Sequence, residues 1–263
     1  MVVRSRISPA RTVALAAVLV AIVGWPLLAW RRTEAATAPT TVQLTTADGT
    51  VDAYVAWPTG SGQVPAVIIV HEWWGLGEQI KDVARRMARQ GYLAIVPDLY
   101  HGKLATTPEE AHELVRGLED TRVFEELDAA AAWCRAQRRY ERHRTGVMGF
   151  CVGGGITLRY ALRSPEVAAA VMFYGPPETD PERLATLKAP LMGHFGAMDQ
   201  GITTDRVDAF RAALKKSGRN AEIFSYAGAG HAFMHEGKPS YQVDAARIAW
   251  ARTLAFFQRY LKS

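Results

Sequence analysis

Cysteine is scarce in this sequence, which has two cysteines, Cys134 and Cys151, among 263 residues. Two cysteines cannot provide the several bridges that stabilise small disulfide-rich secreted proteins. They also form no C-x-x-C motif, which argues against a thiol redox protein. Cys134 lies at helical spacing from Phe124, Leu127 and Ala131, and this pattern predicts a small buried side chain in the core.

Long runs of basic residues are also absent, although the formal net charge is +5. No basic run exceeds two residues, as in Arg138-Arg139. Five of the 31 basic residues lie within positions 1–38, against one acidic residue. The rest of the chain therefore holds 26 basic and 25 acidic residues. This balance gives no reason to expect nucleic acid as a partner.

Residues 1–38 have the composition of a targeting or anchoring segment. Thr12 to Trp30 form an uncharged run, whose length lies within the roughly 17–25 residues that a helix needs to cross a membrane. Three arginines precede the run and two follow it, which favours a cytoplasmic N-terminus and an exported body. We therefore expect residues 1–38 to form one hydrophobic membrane-anchoring helix, with a periplasmic or extracellular domain over 39–263. Ala36-Thr37-Ala38 also fits a cleavage site, so secretion after signal cleavage is the alternative.

Residues 39–263 are predicted to form one α/β domain. Thr41–Thr46 and Val51–Trp57 flank an Asp-Gly pair, which predicts an N-terminal β-hairpin. The unbroken apolar run Ala66–Val70 is typical of a strand buried on both faces, and Glu78–Gln90 has helical periodicity. The same alternation continues with strands near 92–96, 146–150, 168–173, 190–195 and 221–226, and helices through 124–134, after Gly153, over 203–217 and at the C-terminus, where Ala246, Trp250, Leu254, Phe257 and Leu261 share a face. Such alternation predicts a mostly parallel sheet with helices on both faces.

The segment Gly149-Phe150-Cys151-Val152-Gly153 lies between a predicted strand and a predicted helix. Its G-x-nucleophile-x-G spacing is that of the nucleophile elbow of α/β-hydrolases, where a sharp turn exposes the central side chain. A thiol at a helix N-terminus is stabilised as the thiolate by the positive end of the helix dipole. The alternative is a buried and inert cysteine in a glycine-rich turn.

Two later residues complete the chain order of nucleophile, acid and base that this fold requires. Asp199 and His231 each follow a predicted strand, which is where the architecture places the acid and the base. Asp180, in a proline-rich loop, is the weaker substitute for Asp199. His194 lies within a predicted strand and His143 precedes one, so both are predicted to be structural.

Such a triad predicts acyl transfer. His231, oriented by Asp199, would keep Cys151 as a thiolate that attacks an ester or lactone carbonyl and forms a thioester, which water hydrolyses. The backbone N–H groups of Val152 and Trp73 are the expected oxyanion hole. Thiolates expel alkoxides more readily than amines, so esters and lactones are favoured over peptides.

Four motifs resemble those of the dienelactone hydrolase family, and the resemblance covers roughly residues 40–262. They are Gly149-Phe150-Cys151-Val152-Gly153-Gly154, Pro97-Asp98-Leu99-Tyr100, Tyr174-Gly175 and Gly230-His231-Ala232-Phe233. The resemblance implies an α/β-hydrolase fold and hydrolysis of a small ester or lactone without a cofactor. A further match, His71-Glu72-Trp73-Trp74-Gly75, implies that Glu72 interacts with the nucleophilic thiol and helps to activate it.

The residues expected to contact substrate differ from the family pattern. Family members bind a substrate carboxylate with two arginines, whose places here hold Gly102-Lys103 and His235, so Lys103 and His235 are the candidate replacements. Lysine cannot make the planar two-pronged contact of arginine. Trp74, Tyr174 and Phe233 predict an apolar pocket instead.

Three further expectations concern a metal site, an alternative function and the oligomeric state. A metal site built from His71, Glu72, His231 and His235 is disfavoured, because the helical H-E-x-x-H spacing is missing. A membrane-anchored binding protein that has lost its catalytic activity is the alternative function on the same fold. The chain is expected to be a monomer.

Overall fold

One eight-stranded sheet runs through residues 38–262, the part of the chain that the computed structural model describes. The strands are β1 (Thr40–Thr46), β2 (Gly49–Ala56), β3 (Val64–Val70), β4 (Leu93–Pro97), β5 (Tyr140–Phe150), β6 (Ala169–Phe173), β7 (Leu191–Gly196) and β8 (Ala221–Tyr226). Their order across the sheet is β1-β2-β4-β3-β5-β6-β7-β8. From β4 to β8 in that order, neighbouring strands are parallel.

The antiparallel part of the sheet is confined to the edge formed by β1 and β2. β1 pairs with β2 through a tight turn in which Thr46 faces Gly49, and β2 pairs antiparallel with β4. The predicted N-terminal hairpin and the mostly parallel sheet are therefore confirmed.

Helices cover both faces of the sheet. They are α1 (Glu78–Arg89), α2 (Pro108–Arg116), α3 (Asp120–Arg135), α4 (Val152–Arg163), α5 (Pro181–Leu184), α6 (Thr204–Ser217) and α7 (Val243–Leu261). Apolar side chains of α3, α4 and α6 form one core with Ile68 and Val70 of β3, and those of α1 and α7 form the other with Val67 and Ile69. This alternation along β3 follows from the two-residue period of a strand, and it confirms the α/β-hydrolase architecture.

Three local features differ from the sequence-based expectation. Strand β5 begins at Tyr140, several residues before the predicted Gly146, and α2 and α5 were not predicted. On α7, Trp250 and Leu254 are only partly buried. Ala246, Phe257 and Leu261 are buried as predicted, and the buried face also includes Ala249 and Thr253, whose hydroxyl lies 3.0 Å from Nε2 of His194 inside the sheet.

The predicted anchor over residues 1–38, its hydrophobic helix and the domain boundary fall outside the described residues, apart from position 38 itself, and remain predictions. Within 38–262, no helix combines the length and the hydrophobicity that a membrane span requires.

Candidate active site

The elbow around Cys151 is formed by a direct strand-to-helix junction. Strand β5 ends at Phe150 and α4 begins at Val152, so Cys151 alone makes the turn, with φ 54° and ψ −122°. A positive φ at a non-glycine residue costs about 1–3 kcal/mol and is typical of functional sites. The junction is held by the Cys151 N–H, which donates to the carbonyl oxygen of Phe173 at 3.0 Å.

Glycines are required on both sides of Cys151 because backbone segments approach too closely for a side chain. A Cβ atom at Gly149 would lie 2.3 Å from the carbonyl oxygen of Gly153. A Cβ atom at Gly153 would lie 2.4 Å from the carbonyl oxygen of His71. The first turn of α4 therefore packs directly against the segment that follows β3, which carries Trp73.

The loops after β7 and β8 meet through a second close approach. A Cβ atom at Gly196 would lie 2.4 Å from the carbonyl oxygen of Gly230, and the Met198 N–H donates to the carbonyl oxygen of Ala229 at 2.8 Å. Because these loops are in contact, Asp199 and His231, 32 positions apart in the chain, are brought together.

His231 bridges the acid and the thiol. Its Nδ1 atom lies 2.7 Å from Oδ2 of Asp199, and its Nε2 atom lies 3.2 Å from Sγ of Cys151. The other oxygen of Asp199 accepts from the N–H groups of Gly201 at 2.8 Å and Ile202 at 2.9 Å. The structure thus brings the three residues predicted as a triad into one hydrogen-bonded row.

The electrostatics of Asp199, His231 and Cys151 favour a charged imidazole. Burial alone would lower the pKa of His231, but the hydrogen bonds to Asp199 and Cys151 raise that pKa to about 10. Burial acts to raise the pKa of Asp199, yet the hydrogen bonds from His231 and from the N–H groups of Ile202 and Gly201 lower it overall. At neutral pH this geometry is therefore suited to an imidazolium between a carboxylate and a sulfur atom.

Glu72 is buried, with 3% of its surface exposed. Its Oε1 atom accepts a hydrogen bond from the Tyr174 hydroxyl at 3.0 Å, and its Oε2 atom lies 2.9 Å from Nδ1 of His235. Burial, together with the nearby carboxylate, raises the pKa of Tyr174 well above its ordinary value. The phenol therefore stays protonated and donates a hydrogen bond to Glu72. The interaction of Glu72 with the thiol that the resemblance implied is not formed in this structure, because Tyr174 and His235 hold the carboxylate.

A cavity of about 460 Å³ opens in front of the Cys151 sulfur. Its wall is formed by Glu72, Trp73, Trp74, Cys151, His231, Ala232, His235, Lys238, Pro239 and Ser240. The rings of Trp73 and Trp74 meet edge to face at 4.9 Å, and the Lys238 ammonium lies 4.9 Å from the centre of the Trp74 ring. This volume is in the range of small-molecule sites.

Three of the predicted substrate contacts lie elsewhere. Lys103 is exposed and does not line the cavity; its carbonyl oxygen lies 2.9 Å from where a Cβ atom at Gly75 would be. Tyr174 and Phe233 are fully buried. The centres of their two rings lie 5.4 Å apart, and the centre of the Tyr174 ring lies 5.1 Å from that of the His231 ring. Trp74 and His235, by contrast, do line the cavity.

Lys238 is the charged cavity residue that sequence reasoning missed, together with its neighbours Pro239 and Ser240. It lies in the loop between His231 and α7, where a single lysine among polar and turn-forming residues gives no pattern. Only its contact with the ring of Trp74, which lies far earlier in the chain, reveals its place.

The competing residues have structural roles. Asp180 caps α5 by accepting from the Glu182 N–H at 2.9 Å. His194 is fully buried between Tyr226 and Thr253, at 2.8 and 3.0 Å. The predicted structural role of His194 thus has a physical basis in two hydrogen bonds within the core.

No group of three or more His, Cys, Asp or Glu side chains in residues 38–262 is arranged to hold a metal ion. A second cavity, of about 250 Å³, lies beside the first residues of β5 and includes Tyr140, His143 and Glu166 in its wall. None of Cys151, Asp199 and His231 lines it, whereas Cys151 and His231 both line the larger cavity.

The sequence model of the dienelactone hydrolase family matches residues 51–261. The chain belongs to the dienelactone hydrolase family. A provisionally assigned carboxymethylenebutenolidase of Methylorubrum extorquens AM1 is 36% identical over 233 residues, which cover 83% of this chain and 80% of that protein. One from Escherichia coli K12 is 39% identical over 223 residues, which cover 79% and 82% of the two chains.

Solved structures of dienelactone hydrolases have the same architecture. The crystal structure of a provisionally assigned dienelactone hydrolase from Klebsiella pneumoniae superposes with a TM-score of 0.78 at 35% identity, covering 85% of this chain and all of that one. This dienelactone hydrolase family member is therefore a hydrolase of ester or lactone bonds on the α/β-hydrolase fold.

Proposed function

We propose that the chain hydrolyses small carboxylic esters or lactones with Cys151 as nucleophile, His231 as acid and base, and Asp199 as the group that orients His231. The observation that carries this proposal is the position of the His231 imidazole, 2.7 Å from the Asp199 carboxylate and 3.2 Å from the Cys151 sulfur. A base held between an orienting group and a nucleophile is the signature of covalent catalysis.

In the first step the Cys151 thiolate attacks the carbonyl carbon of the substrate. The tetrahedral intermediate collapses to a thioester, and the His231 imidazolium gives its proton to the departing alkoxide or enolate oxygen. In the second step water adds to the thioester carbonyl, the C–S bond breaks, and the acid leaves.

The backbone N–H groups of Val152 and Trp73 are the proposed oxyanion hole. Val152 is the first residue of α4, so its N–H group has no acceptor within the helix. No acceptor is found for the Trp73 N–H in the described part of the chain. The packing of Gly153 against His71 supports placing both donors on the same side of the reacting carbonyl.

The cavity suggests the substrate class. Trp73 and Trp74 in its wall, and its volume of about 460 Å³, suit a compact ester or lactone whose non-reacting part is apolar. Relatives assigned as carboxymethylenebutenolidases support a lactone among the substrates.

Turnover of p-nitrophenyl acetate and of a panel of lactones by the full-length protein tests the proposal. Cys151→Ala should abolish turnover, because it removes the sulfur that Nε2 of His231 contacts. Cys134→Ala is the matched control, since this thiol is buried, burial raises its pKa to about 12, and it does not line the cavity. Equal rates for Cys151→Ala and the unmodified protein would refute the triad.

A catalytically inactive binding protein on the same fold makes the opposite prediction for the thiol. Iodoacetamide should label Cys151 and leave Cys134 unmodified in the folded protein if the proposal holds. Failure to label Cys151 would favour the binding protein.

We also propose that residues 1–38 hold the catalytic domain at a membrane, with the domain exported. The uncharged run from Thr12 to Trp30 and the arginines before it support this proposal. Protease digestion of intact cells or spheroplasts should degrade the domain. An intact mass measurement that lacks residues 1–38 would indicate a secreted protein instead.

A further inference from the structure

A second histidine–carboxylate pair lines the same cavity. His235 and Glu72 repeat the contact between His231 and Asp199. The Nδ1 atom of His235 lies 2.9 Å from a carboxylate oxygen of Glu72, and the Nδ1 atom of His231 lies 2.7 Å from one of Asp199. The side chains of His235 and Glu72 are 12% and 4% exposed. A buried carboxylate of this kind orients an imidazole and fixes its tautomer.

The tautomer of His235 follows from the partners of Glu72. One carboxylate oxygen already accepts a hydrogen bond from the Tyr174 hydroxyl, and the other faces Nδ1 of His235. An ionised carboxylate accepts and cannot donate, so Nδ1 carries the hydrogen. In the neutral ring the Nε2 atom is therefore an unprotonated acceptor.

The two cavity histidines differ in what their Nε2 atoms contact. Nε2 of His231 faces the Cys151 sulfur at 3.2 Å. For Nε2 of His235, no hydrogen-bond partner is found among residues 38–262, although the residue lines the cavity. His235 is thus the cavity histidine whose second nitrogen is available to a water molecule.

We infer that His235, oriented by Glu72, is the general base of the second half-reaction, the hydrolysis of the thioester; this inference rests on the proposed function. Water oxygen attacks the thioester carbonyl while Nε2 of His235 takes a water proton. The C–S bond breaks, and its electron pair returns to the sulfur. The acid product ionises and returns its proton to His231, and His235 releases its proton to solvent. Ester and water thus become alcohol, carboxylate and one proton.

The test separates the two half-reactions in the full-length protein. p-Nitrophenolate release from p-nitrophenyl acetate is followed by rapid mixing, which gives the rate of the first turnover and the later steady rate. In His235→Gln the first turnover should keep its rate within about twofold. The steady rate should fall about 10²-fold, the usual contribution of a general base. The acetyl thioester on Cys151 should accumulate and be visible in the intact mass.

Rescue distinguishes a missing base from a disturbed structure. Imidazole added to His235→Gln should raise the steady rate and leave the first turnover unchanged, because the small base replaces the absent side chain. The matched control is His143→Asn, an exposed histidine with positive φ on β5 that lies outside this cavity. It should behave as the unmodified protein in both phases.

Glu72→Gln provides a second test that leaves His235 in place, in case His235→Gln does not fold. Loss of the orienting charge should slow the steady rate and spare the first turnover. An unchanged steady rate in either folded variant would overturn the inference, and so would a parallel fall in both phases. An effect limited to the KM of anionic esters would instead make His235 a substrate-binding residue.

Failure of the proposed function has a different signature. If Cys151 is not the nucleophile, no acetyl adduct forms on it in any variant, and Cys151→Ala keeps the first turnover. The adduct in His235→Gln therefore reports on the inference only when Cys151 has already been shown to be acylated.

Discussion

The Nδ1 atom of His231 lies 2.7 Å from Oδ2 of Asp199, while Oδ1 of the same carboxylate accepts two backbone N–H groups. Every strong donor around Asp199 thus stabilises its ionised form, and that charge in turn supports the imidazolium of His231. Asp199 therefore determines the pH range in which His231 keeps its proton.

Asp199→Asn should lower kcat/KM and shift its pH dependence. The neutral amide removes the charge that helps to raise the pKa of His231 to about 10. The imidazolium is then lost at lower pH, and the alkaline limb of kcat/KM should move down by about 1–3 pH units. We expect a fall of about 10²-fold in kcat/KM at neutral pH. Ester hydrolysis between pH 5 and 11 measures both effects.

Asp180→Asn is the matched control for this change, because Asp180 caps the short helix α5 through the Glu182 N–H. Asparagine is an equally good helix cap, so activity and its pH profile should be retained. An unchanged alkaline limb in Asp199→Asn would show that another group sets the basicity of His231.

Gly196→Ala should disturb the contact between the loops that carry Asp199 and His231. The added Cβ would lie 2.4 Å from the carbonyl oxygen of Gly230, so the two loops must separate. We expect a loss of stability of about 1–3 kcal/mol, with a lower kcat for ester hydrolysis. Urea unfolding and steady-state kinetics measure the two effects.

Gly230→Ala tests the same loop contact from the other side. A Cβ at Gly230 meets no atom within 4 Å, so its stability should stay within about 0.5 kcal/mol of the unmodified protein. Equal destabilisation by the two alanines would mean that loss of glycine, and not the close approach, is the cause.

The proposed triad could be predicted from the sequence because the sheet itself brings its three residues together. Cys151, Asp199 and His231 each follow a parallel strand, and the carboxyl ends of parallel strands meet at one edge. Their position after apolar runs was therefore enough to predict that they lie close together. The fold class followed from the same alternation of strands and helices.

Part of the wall of the cavity next to Cys151 could not be predicted in this way. Lys238 and Trp74 come from loops that are distant in the chain, and their relative position depends on a contact between an ammonium and a ring. Tyr174, which donates a hydrogen bond to Glu72, is fully buried and has a positive φ of 37°. On α7, the burial of Thr253 was not predicted because it is a polar residue, whose hydroxyl lies 3.0 Å from Nε2 of the buried His194. No pattern of apolar residues reports such contacts.

Lys238→Ala should weaken the binding of anionic esters and leave neutral esters unchanged. Lys238 lines the cavity, but it is exposed, so water and salt screen its charge. The KM of a dicarboxylate half-ester should rise by up to about fivefold, and the rise should vanish at high salt. Lys103→Ala is the matched control, since Lys103 lies outside the cavity. A larger effect at Lys103 would contradict the arrangement of these loops.

His194 should make the folded protein sensitive to mild acid. Burial, reinforced by the Arg252 charge, lowers the pKa of His194 to about 3, whereas an unfolded histidine has its ordinary value near 6.5. Between these values the unfolded state binds the proton and the folded state does not. Stability is therefore fully present above about pH 6.5 and is lost as the pH falls toward 3. At pH 4.5 the loss from this residue should be about 2–3 kcal/mol.

Urea unfolding at pH 7 and pH 4.5 measures this loss. His194→Gln cannot take up the proton, so the difference in unfolding free energy between the two pH values should shrink, even if the variant is less stable at pH 7. His143→Asn removes an exposed histidine of β5 and should keep the difference of the unmodified protein. If the unfolding free energy changed equally between pH 7 and pH 4.5 in the unmodified protein, His194→Gln and His143→Asn, His194 would have to be protonated in the folded state at pH 4.5. Its hydrogen bonds to Tyr226 and Thr253 would then have to change, since the charged ring donates from both nitrogens.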